Sequence, residues 1–210
     1  MTAPAGLADL LSLAGPALGP VDATPDIALP EVLRPLWGAR NGWEAYWSAL
    51  QVFPLGAATA GLPDVASVNA VLAEAFGSLA AGHVAFGQDL FGVLMTWHED
   101  HVCGFDPETA EHEPIADDLE GWAAAVLEDP EALVGSAFAF DWQERHGALE
   151  RGERLCGLLP FVLGGEYDDA NLEPRGMLLA LRERAALARV IAALPDGAEV
   201  DWPLPGTREE

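Results

Sequence analysis

The chain contains no lysine. All ten of its basic residues are arginines, set against 34 acids in 210 residues, for a formal charge of -24. Between Arg40 and Arg145 there is no further arginine, while that span carries 18 Asp and Glu. Such a field repels phosphate backbones and anionic lipid surfaces, so nucleic acid and membrane are excluded as expected partners and basic proteins are favoured. Only two cysteines occur, Cys103 and Cys156, which excludes a disulfide framework. Both have apolar or glycine neighbours and are expected to be buried free thiols. No apolar run approaches the roughly 18 residues of a membrane span. The first twenty residues lack a basic flank and place Asp9 in their apolar part, so a cytoplasmic protein is expected.

What is present is apolar patterning. Half the chain is hydrophobic, enough for a sizeable core. "GLADLLSLAG" (6–15) reads as a short helix and "GPVDATPD" (19–26) as a linker, giving an N-terminal segment over 1–28. A helix limited by Pro35 ends at Asn41-Gly42, and "SALQVFPLG" (48–56) reads as a strand. From Asp64, a cap, Val65, Val68, Leu72, Phe76 and Leu79 recur at helical spacing. "GVLMTW" and "HVCGF" flank "HED" as a hairpin, "DPET" is a turn and "EHEPIA" a third strand. Asp117 or Asp118 caps a helix bearing Leu119, Trp122, Ala123 and Val126, and Pro130 opens another. "LCGLLPFVLGGEY" (155–167) reads as a buried strand, 175–194 as a strong helix, and "AEVDWPL" (198–204) as an edge strand before a tail over 204–210. The expected class is α+β.

Recognisable chemistry is scarce. His98, His101, Cys103 and His112 fall within fifteen residues, but their spacing matches no paired zinc motif, and a hairpin sends neighbours to opposite faces. No stoichiometric metal and no cofactor are therefore expected. "DPETAEHEPIADD" has the acidity of a calcium loop but has Pro at its second position and lacks the central Gly. There is no G-x-S-x-G nucleophile and no phosphate loop, so no catalytic residue is assigned and a non-enzymatic binder is expected. Glu99, Asp100, Asp106, Glu108, Asp117 and Asp118 form the candidate acidic face for a partner. Gly164 and Gly165 are structural candidates, expected to take a positive φ or to lie against another backbone.

Read in order, "LPEVLRPLWGARNG", "ALQVFPL", "FGQDLFG", "FDPET", "DDLEGWAAAVLEDPEALVG", "PFVLGGEYDDANL" and "LPDGAEV" together resemble the SUKH superfamily. That group contains a fungal cell-wall synthesis regulator and many bacterial immunity proteins that neutralise polymorphic toxins. The resemblance covers about residues 29–203, taken as one domain, and its closing segments resemble a subgroup with a C-terminal extension. It implies helices packed around a mixed or antiparallel sheet, no catalysis, and action by binding a partner such as a nuclease toxin. A scaffold or regulatory interaction module of the same fold is the alternative it implies. Trp37 and Pro35 depart from the more polar first helix of such relatives. No partner-binding residue and no oligomeric state transfers.

Overall fold

This computed structural model describes residues 6–20, 23–24, 27–56, 62–195 and 200. Along the chain run α1 (Leu7–Leu13), α2 (Pro35–Gly38), β1 (Trp43–Ala45), β2 (Leu50–Val52), α3 (Val65–Val71), β3 (Val84–Gln88), β4 (Leu94–His98), β5 (His101–Phe105), β6 (His112–Ala116), α4 (Leu119–Glu128), α5 (Pro130–Val134), α6 (Ser136–His146), β7 (Glu153–Gly157), β8 (Leu172–Gly176) and α7 (Met177–Ala192). Strands β1 to β6 form an antiparallel sheet in sequence order, and β7 pairs with β8 in a separate ribbon. The fold is α+β.

Strand alternation divides the core in two. On one face Phe86, Met95 and Val102 pack with Leu7 and Leu10 of α1 and Trp122 and Val126 of α4. On the other, Ala85, Leu94 and Phe105 pack with Val65 and Val68 of α3, Phe76, and Met177 and Leu181 of α7. Phe86 meets Trp122 edge-on at 5.4 Å, and Phe76 meets Phe105 likewise at 5.4 Å. The N-terminal helix is thus part of the main core, tied to α4 by the Leu7 N–H donating to Glu120 Oε2 at 2.9 Å. Exposed β6 carries Glu113 and Pro114, which discourage further pairing at that edge.

Tertiary packing edits the periodicity. Asp64 caps α3, accepting from Ser67 N at 2.8 Å. The single helix expected beyond it becomes a π-helical turn at Leu72–Phe76 and a 3-10 turn at Gly77–Ala80. Strands β1, β3 and β8 were not expected; β1 is only three residues long and has too short a pattern to register. The helix opened by Pro130 divides at Gly135, which is left-handed at φ 72. The buried strand expected over 155–167 ends at Gly157, because Pro160 has no N–H for a ladder and starts the turn Phe161–Leu163. Apart from Val200, which is in no strand, the expected edge strand over 198–204 and the tail lie outside the described residues, as does part of the expected linker.

Both glycines after that turn are conformationally constrained. Gly164 has φ 92, with open space around it, whereas a Cβ on Gly165 would overlap the carbonyl oxygen of Leu159. The Asn171 side chain locks this approach: Nδ2 donates to Leu159 O and Glu166 O, both at 3.0 Å, and Oδ1 accepts from Leu159 N at 2.8 Å. Gly164→Ala should cost about 1–2 kcal/mol of left-handed strain. Gly165→Ala, which forces backbone apart, should cost about 3 kcal/mol. Urea unfolding of the two variants checks this ranking, and equal losses would refute the overlap.

Candidate functional site

The six acids proposed as one face separate into two groups. Glu99 and Asp100 form the β4–β5 turn, both left-handed at φ 46 and 66, where short polar side chains are tolerated best. Pairing of Val102 with Ala116 brings the end of β6 beside that turn. Asp117 follows, 3.5 Å from His101 Nε2, and Asp118 caps α4 through Gly121 N at 2.8 Å. All four of these acids are exposed. Among the described residues no arginine lies within ion-pair distance of any of them; the arginines pair elsewhere, as with Arg145–Asp169 at 2.9 Å and Arg175–Glu183 at 2.9 Å.

Asp106 and Glu108 sit at the opposite end of β5, in the turn before β6. Asp106 Oδ1 accepts from Glu108 N at 2.8 Å, an internal bond of the turn. Glu108 is a correction to the sequence reading: only 4% of it is exposed, so it does not belong to an outward face. The turn folds its carboxylate inward, where Oε2 accepts from Val162 N at 2.9 Å and Oε1 lies 3.7 Å from Arg184 Nε. Burial raises its pKa, opposed by the Val162 N–H and by Arg184.

Glu108 is one end of a buried polar tract. Arg184 also donates to the Phe91 carbonyl at 2.7 Å. Asp89 Oδ1 accepts from Phe91 N at 2.9 Å and Val93 N at 2.8 Å, shaping the β3–β4 loop. Burial pushes the Asp89 carboxyl up to about 7 despite those bonds and the nearby charges of Arg184 and Arg154. Arg154 is 1% exposed, donates to Glu153 O at 2.6 Å, and is lowered to about 10 by burial. Between the β5–β6 turn and the aromatic rings of Phe161 and Tyr167 this tract leaves a cavity of about 60 Å³, too small for an organic substrate.

The histidines regroup as well. His101 and Cys103 leave the set: His101 Nδ1 contacts the Glu99 carbonyl at 2.7 Å, and Cys103 is a buried free thiol, as is Cys156. In their place His83, directly before β3, joins His98 and His112, with one nitrogen of each ring within 4.8 Å of the others. The pairing of Val84 with Trp97 is what brings His83 beside His98, so the grouping is visible only once strand register is known. His83 and His98 stack at 3.9 Å between centroids and 6° between planes; His112 meets them edge-on at 4.7 and 4.8 Å. Burial first, then the adjacent His98 and His112, lowers the His83 pKa to about 4.

No family model and no curated protein matches this chain. Solved structures that are similar include the protein Atu4351 from Agrobacterium tumefaciens, with a TM-score of 0.57 at 16% identity over 83% of this chain and 86% of that one. At that identity the likeness shows a shared fold and nothing about activity. Among the described residues, no helix is long and apolar enough to cross a membrane.

Sequence reasoning also missed an exposed aromatic pair. Tyr46, Trp47 and Ser48, linking β1 to β2, are all left-handed, with φ 54, 54 and 64. The bend turns Trp47 outward, 59% exposed, against Phe140 of α6 at 4.9 Å. A run of "YWS" carries no turn signature, so nothing in the letters marks it.

Proposed function

We propose that this is a non-catalytic protein-binding domain, and that it acts as an immunity protein that neutralises a basic toxin domain by direct contact. The observation that carries the reading is the corner formed by Glu99, Asp100, Asp117 and Asp118, exposed together and without an arginine in ion-pair reach among the described residues. Nuclease domains that grip phosphate are basic, and a field of the opposite sign speeds their encounter. The resemblance to the SUKH superfamily supports the toxin reading.

The test is kinetic. A partner is captured from the native host and identified by mass spectrometry, and its association is followed by stopped flow. Steering acts on the association rate and is screened over about 10 Å near 0.1 M salt. The quadruple variant Glu99→Gln, Asp100→Asn, Asp117→Asn, Asp118→Asn should associate on the order of tenfold more slowly at low salt, with a smaller difference at high salt and little change in dissociation. A partner that is itself acidic, or an association rate indifferent to both salt and the four substitutions, refutes it.

A further inference from the structure

We propose that His83, His98 and His112 form a binding site for a first-row transition-metal dication, zinc or a borderline relative, with a coordination position left open to water. The three rings come from three separate places in the chain, yet each puts one nitrogen within 4.8 Å of the other two. A tetrahedral zinc with bonds of about 2.0–2.1 Å needs its nitrogens about 3.3 Å apart. The rings must therefore close by about 1.5 Å, and the parallel His83–His98 stack, whose in-plane lone pairs run side by side, must open into a convergent arrangement.

Two features prepare the site. His83 Nδ1 lies 2.9 Å from Thr96 Oγ1, and that hydroxyl lies 3.5 Å from the Cys103 carbonyl. With the hydroxyl hydrogen directed to the carbonyl, Oγ1 accepts from Nδ1–H, and His83 Nε2 is left as a bare lone pair. Orientation of a ligand histidine by a hydrogen bond to its other nitrogen is how metal sites fix ring and tautomer. His98 supplies the second: its Nδ1 is buried without any hydrogen-bond partner among the described residues. A buried imidazole nitrogen with no bond is costly in a protein interior. A metal on that nitrogen would satisfy it.

The donor set selects the ligand. Three imidazoles without thiolate or carboxylate suit Zn(II), Cu(II), Ni(II) and Co(II) rather than calcium or magnesium. The trio is graded from buried His83 through half-buried His98 to exposed His112, so an ion enters from the His112 side. His83 also lines a groove of about 490 Å³ beside α3, which brings water to the other side of the cluster. Three protein ligands and an open fourth place are the arrangement of zinc sites that keep a water. This inference is independent of partner binding and stands or falls without it.

The experiment is titration of the metal-free full chain with zinc sulfate, followed by calorimetry and by imidazole nitrogen NMR. One equivalent should bind, shifting three histidine nitrogens and raising the melting temperature by about 5 °C at a hundredfold excess over Kd. His112→Ala, at an exposed position that leaves the core intact, should weaken binding at least about tenfold, and His98→Ala likewise. His101→Ala, a neighbouring histidine outside the trio, should bind as the parent does. Absence of saturable one-to-one binding below about 100 µM zinc overturns the proposal. So does binding that survives in both His112→Ala and His98→Ala, which would place the metal on surface carboxylates.

Discussion

Arg184→Met should lower the unfolding free energy by about 3–5 kcal/mol, the cost of breaking a buried ion pair from one side. Methionine keeps most of the volume and the apolar stem. What it removes is the guanidinium that faces Glu108 at 3.7 Å and donates to the Phe91 carbonyl at 2.7 Å. Glu108 then keeps only backbone N–H groups, chiefly that of Val162, as compensation for being buried. If the stranded carboxylate is the main penalty, Glu108→Gln in the Arg184→Met background should recover roughly half the loss, because an amide oxygen still accepts from Val162 N and carries no charge. Glu108→Gln alone should cost about 1 kcal/mol. Urea unfolding of the four proteins closes the cycle. Additive losses, or an Arg184→Met protein as stable as its parent, would show that the pair is incidental to the fold.

The same pair marks the limit of what the letters disclose. Helices α4 and α7 were legible because their apolar residues recur over ten and sixteen residues with clear starts. The β4–β5 hairpin was legible because two apolar, period-two runs flank the polar His98-Glu99-Asp100. Composition marked the acidic span but not its partition, since Glu44, Glu74 and Glu108 of that span meet Arg151, Arg182 and Arg184 in space. Glu108 defeated the same reasoning. In sequence it is one more acid in an acidic turn, and only Arg184, far along the chain on α7, explains why it faces inward. His83 is the converse case, a lone histidine whose partners depend on β3–β4 register. Long-range pairing of polar side chains has no period and no local signature, and both the buried tract and the histidine trio are built from it.

The partition of arginines ties fold to charge. Arg154 and Arg184 are buried in the tract, Arg40 holds the carbonyls ending α1 at 2.6 and 2.9 Å, and Arg145 clamps Asp169. These cations serve carbonyls and acids of the scaffold, and none of the described ones is in ion-pair reach of the β4–β5 turn. The exposed acids therefore keep their field, which is the property the proposed partner would meet.

Asp89 should withdraw stability as pH rises from about 4 to about 7, against an opposite contribution from His83, whose lowered pKa adds stability between about 4 and 6.5. The Asp89 carboxyl is pushed from 3.8 up to about 7 by burial. Between those values the folded chain holds a proton at Asp89 that the unfolded chain has released. At this group the folded state binds more protons, so its contribution to the unfolding free energy declines with pH across this window and levels off above it. The span corresponds to a contribution on the order of 4 kcal/mol. Other carboxylates titrate over the same range, so the comparison has to be made against Asp89→Asn. Asparagine keeps an oxygen for the Phe91 and Val93 N–H groups, which both bond to Oδ1, but has no charge at any pH. The variant should match the parent near pH 4 and exceed it progressively up to pH 8, as read from urea unfolding at each pH. Should the two profiles run parallel, or the variant be the weaker protein at pH 8, Asp89 is ionised in the folded state and held by Arg154 and Arg184. The β3–β4 loop would then be stabilised by charge at neutral pH, and its weakening would lie on the acid side instead.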